Sequence, residues 1–361
     1  MMNSEAIKPT VYFLSFVGSR YSRSGTILNS ESKSVIRKYL QLDSGVKGIT
    51  RSILKKRLEL READAIVVMS PCQMIAPLVR ILLRKTVILD AGWPLTDGVL
   101  SRGVKISNLH RLASIFFVDF LAFHTSNLVL LESEAQLKRC RRIFLLANRK
   151  CSVQYTGLDE SKFNILESKS QLVQDLEVKI SSINNPLTVI FRGKVNKESG
   201  FTKILETAAK MPKEATFLFL LGLEDQYSNT PDNVLIAKGF TDSEMRYLYE
   251  ISDIAIGQIS NHPRLRYTIP HKAYEAAFFA KCYITLDTPS VREIFNKESV
   301  FFLDQTQPDS LRSAIKSLED NDLRLSHSQR IRAEYEEKFS QYLISRSFDQ
   351  QVIEILRHQF K

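Results

Sequence analysis

The sequence predicts an α/β protein built from two consecutive parallel sheets, each covered by helices. Three observations carry that expectation. Strand-like runs alternate with helix-like segments along the whole chain. Runs such as "ADAIVVMSP" and "ATFLFLLG" are continuously apolar, and one polar stretch, "ESKSQLVQDLEVKISSINNP", separates two such series. Continuous apolar runs suit strands buried on both faces, as in a parallel sheet between helix layers. A length of 361 residues exceeds what one core usually serves and agrees with two domains.

The elements follow in order. "PTVYFLSFVGS" reads as a strand running into a glycine- and serine-bearing loop, "SRYSRSG", with Gly18 and Ser19 at its start. "SESKSVIRKYLQ" reads as a helix with a Ser start. "ADAIVVMSP" is a strand closed by Pro71, "CQMIAPLVRILLRK" a helix, and "KTVILDAGWP" a strand and turn. "SNLHRLASIFFVDFLAFHTS" is a helix, "NLVLLESE" a strand, "AQLKRCRRIF" a helix, and "KCSVQYTGLD" a strand and turn. After the break at Asn184-Asn185-Pro186 the alternation restarts with "LTVIFRGK" and "FTKILETAAKMP". It continues through "TDSEMRYLYEIS", where Thr241 and Glu244 form a capping box. The expected division is two Rossmann-like domains, residues 1–165 and 187–340, with 166–186 as linker. Residues 341–361 are a final helix that crosses back to the first domain.

The net charge is +10, and its source is local. Residues 1–160 hold 24 Lys and Arg against 13 Asp and Glu, so the whole surplus lies in the first half. Such a half either faces something anionic, a phospholipid surface above all, or is simply solvated. The segment 102–123 joins Arg102, Lys105, His110 and Arg111 to a wide apolar face. That pattern suits a helix lying on a bilayer, or a buried domain helix. The longest apolar run, 112–123, is interrupted by Asp119 and falls short of the roughly 20 residues a spanning helix needs. No nucleic-acid motif or basic-aromatic interleaving is present, so no nucleic-acid partner is expected. Cys72, Cys140, Cys151 and Cys282 are scattered, without C-x-x-C or His at metal-ligand spacing. They read as free thiols of a reducing compartment, with no metal site. "MMNSEAIKPT" has no signal-peptide pattern, so the expected location is the cytoplasm, peripheral on the inner membrane face.

Several motifs, taken in order, resemble family-four glycosyltransferases of GT-B architecture. "VIFRGKVNKESG", "NVLIAKGFTDSEMRYLYEISDIAI", "IPHKAYEAAFFAKCYITLDTPSVREIF" and, earlier, "SNLVLLESEAQLKRCRRIF" with "CSVQYTGLDESKF" stand where that family has its signature segments. The resemblance implies two Rossmann-like domains facing a central cleft, a nucleotide-sugar donor and a saccharide or lipid-linked acceptor. It also implies retention of configuration, with no cofactor and no metal. The family's arginine falls on Lys194, with Arg192 close by, and its lysine on Ser199, with Lys197 close by. The first of its paired glutamates falls on Tyr267 and the second on Glu275. These departures leave two alternatives open, an inactive nucleotide-sugar-binding subunit and a nucleotide-sugar epimerase of the same fold.

The residue types suit that chemistry. "FRGKVNKESG" joins a strand end to a helix start at Gly200. Ligands of open α/β sheets bind at strand carboxyl ends, and helix N-termini favour phosphate. Arg192, Lys194 and Lys197, with the backbone at Gly193, would stabilise the charge growing on a departing diphosphate. Pro270 opens a helix on which Lys272 and Glu275 share a face. Lys272 is expected near the diphosphate, while the resemblance gives Glu275 the ribose hydroxyls and Glu293 a donor-side acidic turn. A helix-dipole contact explains the Lys272–Glu275 pair equally simply. In the first domain Asp90 is the candidate base, and Gly18, Ser19 and Trp93 are candidates for the acceptor side.

Overall fold

The structure, a computed structural model, describes residues 8–18, 23–101, 103, 109–164, 168–225, 230–304, 307 and 309–359. The chain forms two units, Met1–Asp159 with Gln341–Lys361, and Glu160–Ser340.

The first unit holds six strands: β1 (Thr10–Ser15), β2 (Ile36–Gln41), β3 (Ala65–Met69), β4 (Thr86–Gly92), β5 (Leu128–Leu131) and β6 (Cys151–Val153). They lie in the order β2-β1-β3-β4-β5-β6, and every pair is parallel. Alternate residues of β1 feed two cores, as the pleat requires. Tyr12 and Leu14 pack with Ile49, Ile53, Val79 and Phe123, whereas Val11 and Phe13 pack with Phe348 and Val352.

The second unit repeats the plan with β7 (Leu187–Arg192), β8 (Ala215–Leu221), β9 (Val234–Lys238), β10 (Ile254–Ile256), β11 (Cys282–Leu286) and β12 (Val300–Leu303). The order is β12-β11-β10-β7-β8-β9, again all parallel. Strand order reverses between β1 and β3, and between β7 and β10. The carboxyl ends at those two points are where open α/β sheets take ligands.

Four expectations change. "SESKSVIRKYLQ" is not a helix: Ile36–Gln41 is the edge strand β2, paired with β1 from Thr10↔Ile36 onward. Its Ile36, Lys38 and Gln41 face water as an edge strand allows, while Arg37 turns inward, and this mixed pattern imitates the polar side of a helix. The loop after β1 is shorter than expected, because Arg23–Leu28 is helical. The 166–186 stretch is more than a linker, since Gln171–Ile183 is a helix whose cap Ser170 accepts the Val173 N–H. In the 102–123 segment, Arg102 and Lys105 lie outside the described residues. The helix Leu109–Thr125 turns Asp119, Ala122 and Phe123 inward. Asp119 there accepts hydrogen bonds from the Leu95 and Thr96 amides and the Thr96 hydroxyl. Among the described residues no helix is long and apolar enough to cross a membrane.

The helix Gln341–Gln359 belongs to the first unit and is anchored there by chemistry as well as packing. The Phe348 and Phe13 ring centres lie 5.4 Å apart, and Arg37 pairs with Asp349 at 2.7 Å, both side chains buried. Arg37 keeps the Ser30 and Ser345 oxygens as further acceptors. Asp349→Ala is therefore expected to destabilise the protein by about 2 kcal/mol, the scale of a lost hydrogen bond to a charged group. Urea unfolding measures this, and an unchanged midpoint would count against the anchor.

Candidate active site

The strand β7 ends on Arg192, and Gly193 follows at the carboxyl edge beside β10. The loop then turns tightly. The Ser199 hydroxyl donates to the Asn196 carbonyl and its amide donates to Asn196 Oδ1. Ser199, which stands at the family's lysine position, is thus a buried turn residue. Gly200 has φ +72°, and a Cβ there would meet Ile259 Cγ1 at 2.8 Å and the Ser260 amide nitrogen at 3.1 Å. Glycine therefore lets the β7 loop lie against the β10 loop. The Arg264–Glu198 ion pair at 3.2 Å ties the same two loops.

The helix His271–Phe278 opens beside this edge, with Pro270 as its N-cap. Glu275 is only 1% exposed and gathers three partners. Arg192 reaches its Oε1 at 2.8 Å, His271 Nδ1 the same oxygen at 3.0 Å, and the Tyr249 hydroxyl donates to Oε2 at 3.1 Å. Burial alone would raise the Glu275 carboxyl. Arg192, His271 and Tyr249 outweigh it and hold the group at about 2. Burial first, and Glu275 second, push the Tyr249 phenol well up, so it stays a proton donor.

Lys272 is the unusual member. Its Nζ is buried, has no hydrogen-bond partner, and lies 3.9 Å from the centre of the Phe191 ring. A Cβ on residue 193 would sit 3.0 Å from that nitrogen, so Gly193 keeps space beside it. Burial first, then the Arg192 charge, lower the ammonium to about 7, with Glu275 opposing. The site thus holds one guanidinium paired to a carboxylate and, beside them, one amine whose charge is disfavoured.

The structure brings Arg192, Gly193, Lys272 and Glu275 together. Lys194 and Lys197 do not join them. Lys194 is 71% exposed and pairs with Glu224 at 3.3 Å, while Lys197 points to solvent. Glu293 caps the short helix Pro289–Arg292 at its carboxyl end. Glu275 is not open to solvent for a ribose, because the cations and Tyr249 already surround it. His271 and Tyr249 went unnoticed in the sequence. His271 stands one helical turn before Glu275, a legible spacing, whereas Tyr249 carries no local signal.

In the first unit a small cavity of about 60 Å³ opens at the carboxyl ends of β3, β4 and β5. Arg23, Ser70, Asp90, Trp93, Glu132 and Thr156 line it. Asp90 is buried and ion-paired with Arg23, whose guanidinium also faces the Leu130 and Leu131 carbonyls at 3.4 and 3.5 Å. Asp90 is the carboxylate partner that anchors the Arg23 guanidinium. Trp93 packs so closely on the Leu95–Leu100 helix that a Cβ at Gly98 would meet the indole at 2.7 Å. Gly18 has φ +99° and lies outside the lining. Ser19 falls outside the described residues. No group of metal-binding side chains occurs among the described residues.

Residues 173–339 match the family described as Glycosyl transferases group 1. No curated protein sequence matches the chain. Solved structures share its fold along nearly their whole length. HepE from Anabaena, crystallised with UDP-glucose, is 13% identical with a TM-score of 0.71, over 96% of this chain and 99% of that one. Sucrose-phosphate synthase from Thermosynechococcus elongatus is 12% identical with a TM-score of 0.72, over 97% and 100%. WaaG, a glycosyltransferase involved in lipopolysaccharide biosynthesis, is 12% identical with a TM-score of 0.59, over 94% and 98%.

Proposed function

We propose, from the premise that the chain is a divergent glycosyltransferase of GT-B fold with its group 1 domain at residues 173–339, that it moves a sugar from a nucleoside-diphosphate donor to a lipid-linked saccharide with retention of configuration. The observation that carries the donor assignment is the buried Lys272 nitrogen, without a hydrogen-bond partner, beside Arg192 at the carboxyl edge of β7. A buried ammonium held against the Phe191 ring without a hydrogen-bond acceptor is poorly compensated in the empty site and favours one bound anion. A departing diphosphate supplies that anion, and its charge is greatest in the transition state.

The acceptor is assigned to the first unit's cavity, where Trp93, Glu132, Thr156 and the Arg23–Asp90 pair suit the hydroxyls and apolar face of a sugar. HepE was crystallised with UDP-glucose, in line with a nucleotide-sugar donor, and WaaG is involved in lipopolysaccharide biosynthesis, in line with a role in surface polysaccharide assembly. Side chains and helix amides hold the diphosphate, so no metal is invoked.

Thermal shift with UDP, GDP and ADP tests the donor site, and one of them is expected to raise the melting temperature. The matching sugar nucleotide then separates the readings. Transfer or slow hydrolysis with a retained anomer supports the proposal. Interconversion of the donor sugar means an epimerase, and binding without turnover means an inactive subunit. Absence of binding by all three nucleotides would remove the donor assignment.

A further inference from the structure

We propose that the outer face of the two consecutive helices Gly45–Lys55 and Arg57–Arg61 docks the protein on an anionic lipid bilayer. The sequence of this stretch, "GVKGITRSILKKRLELR", holds six Lys and Arg against one Glu. Ile49, Ile53 and Leu60 face the core and fix which side looks out. That outer side carries an apolar ridge, with Val46 57%, Leu54 48% and Leu58 81% exposed. Lys47, Arg51 and Lys55 recur at four-residue steps, a single helical ridge one position along from Val46 and Leu54. Lys56 pairs with Glu59 at 3.0 Å, but Lys47, Arg51, Lys55, Arg57 and Arg61 have no carboxylate within 4.0 Å among the described residues. The helix Ile75–Leu83, packed against both, carries an exposed Ile81 between the exposed Arg80 and Arg84.

Single exposed leucines are ordinary on soluble proteins. An apolar ridge beside a ridge of unpaired cations is the composition of a helix lying in a lipid headgroup layer. Cations meet anionic headgroups there, and leucines enter the acyl boundary. A polyanion such as nucleic acid satisfies only the cations and leaves the leucines without a partner. The Leu109–Thr125 helix, by contrast, turns part of its apolar face to the core. The inference shares the lipid-linked acceptor reading, but vesicle binding and sugar transfer are measured separately, so either can fail without the other.

The test is sedimentation of the full chain with vesicles of phosphatidylcholine and phosphatidylglycerol, against vesicles of phosphatidylcholine alone. Wild type is expected to bind the mixed vesicles and to be released progressively by salt. Lys47→Gln/Arg51→Gln/Lys55→Gln is expected to weaken partitioning about 100-fold, since each cation near the surface contributes about one kcal/mol. Leu54→Ser/Leu58→Ser is expected to abolish the binding that survives high salt, at an unchanged melting temperature. Equal binding to both vesicle types overturns the proposal, as does wild-type partitioning by the triple variant. So does loss of oligonucleotide binding in the triple variant with vesicle binding intact.

Discussion

Lys272→Met is expected to lower turnover by about 100-fold or more, the loss seen when one preorganised charge-stabilising group is removed, while raising the melting temperature. The two effects separate function from structure. In the empty site the Lys272 nitrogen is buried without a hydrogen-bond partner, and Arg192 opposes its charge. A methionine of similar shape removes that burden and is expected to stabilise the fold by about 1–3 kcal/mol at neutral pH. A merely structural lysine would show loss of stability instead. The sign of the pH dependence follows from a folded value near 7 and an unfolded value of 10.5. Between those values the unfolded chain binds the extra proton, so wild-type stability rises with pH across the window, by up to about 1.4 kcal/mol per unit. The methionine variant lacks this slope. Nucleotide binding has the opposite sense. A diphosphate favours the charged amine, so its binding takes up a proton, and wild-type affinity falls above pH 7 by up to about tenfold per unit. Calorimetry in buffers of different ionisation enthalpy reads the proton directly. Wild-type turnover in the methionine variant, or nucleotide affinity independent of pH, would defeat this account of the site.

Glu275→Ala is expected to be the most destabilising single change in the site, by about 2–3 kcal/mol, since the Arg192 partner is 36% exposed and water screens it. The carboxylate is the common partner of Arg192, His271 and Tyr249, and without it the 36%-exposed Arg192 guanidinium and the buried Tyr249 hydroxyl lose their acceptor. The folded carboxyl lies at about 2 against an ordinary 4.5, a depressed value. Its contribution is therefore complete above pH 4.5 and is lost as pH falls toward 2. The difference between wild type and the alanine variant should be full at neutral pH and shrink only in acid. Glu275→Gln keeps one acceptor oxygen, on the Arg192 and His271 side, and turns an amide N–H toward the Tyr249 hydroxyl, so it is expected to lose about half as much. If nucleotide affinity in the glutamine variant equals wild type at the same melting temperature, Glu275 does not hold Arg192 in place for the donor.

How far the sequence could be read depended on how local each signal was. The two sheets were visible because continuous apolar runs such as "AIVVM" and "ATFLFLL" cannot be satisfied on a half-exposed surface. The edge strand β2 was misread because at an edge the polar residues of a strand serve solvent, as the polar side of a helix does. In the active site the Lys272–Glu275 spacing pointed to a shared face. The Arg192–Glu275 contact joins residues from different elements, and no periodicity reports it. Lys194 and Lys197 looked equal to Arg192 in sequence, yet the turn held by Asn196 and Ser199 directs them to water. Asp90 looked like a free strand-end acid because its partner, Arg23, stands 67 positions earlier in the chain.

The return of the last helix to the first unit sets an order of events on the ribosome. Residues 160–340 have all emerged before Gln341–Gln359 does, so the unit made second is the first that can close. The nascent first unit waits meanwhile with Phe13 and Arg37 uncovered, because Phe348 and Asp349 are still to be synthesised. Domains generally fold as units during synthesis, and apolar surface left open in that interval is prone to aggregate. Rejoining residue 159 directly to 341 would shorten the wait, and the excised segment 160–340 would be freed to fold on its own schedule.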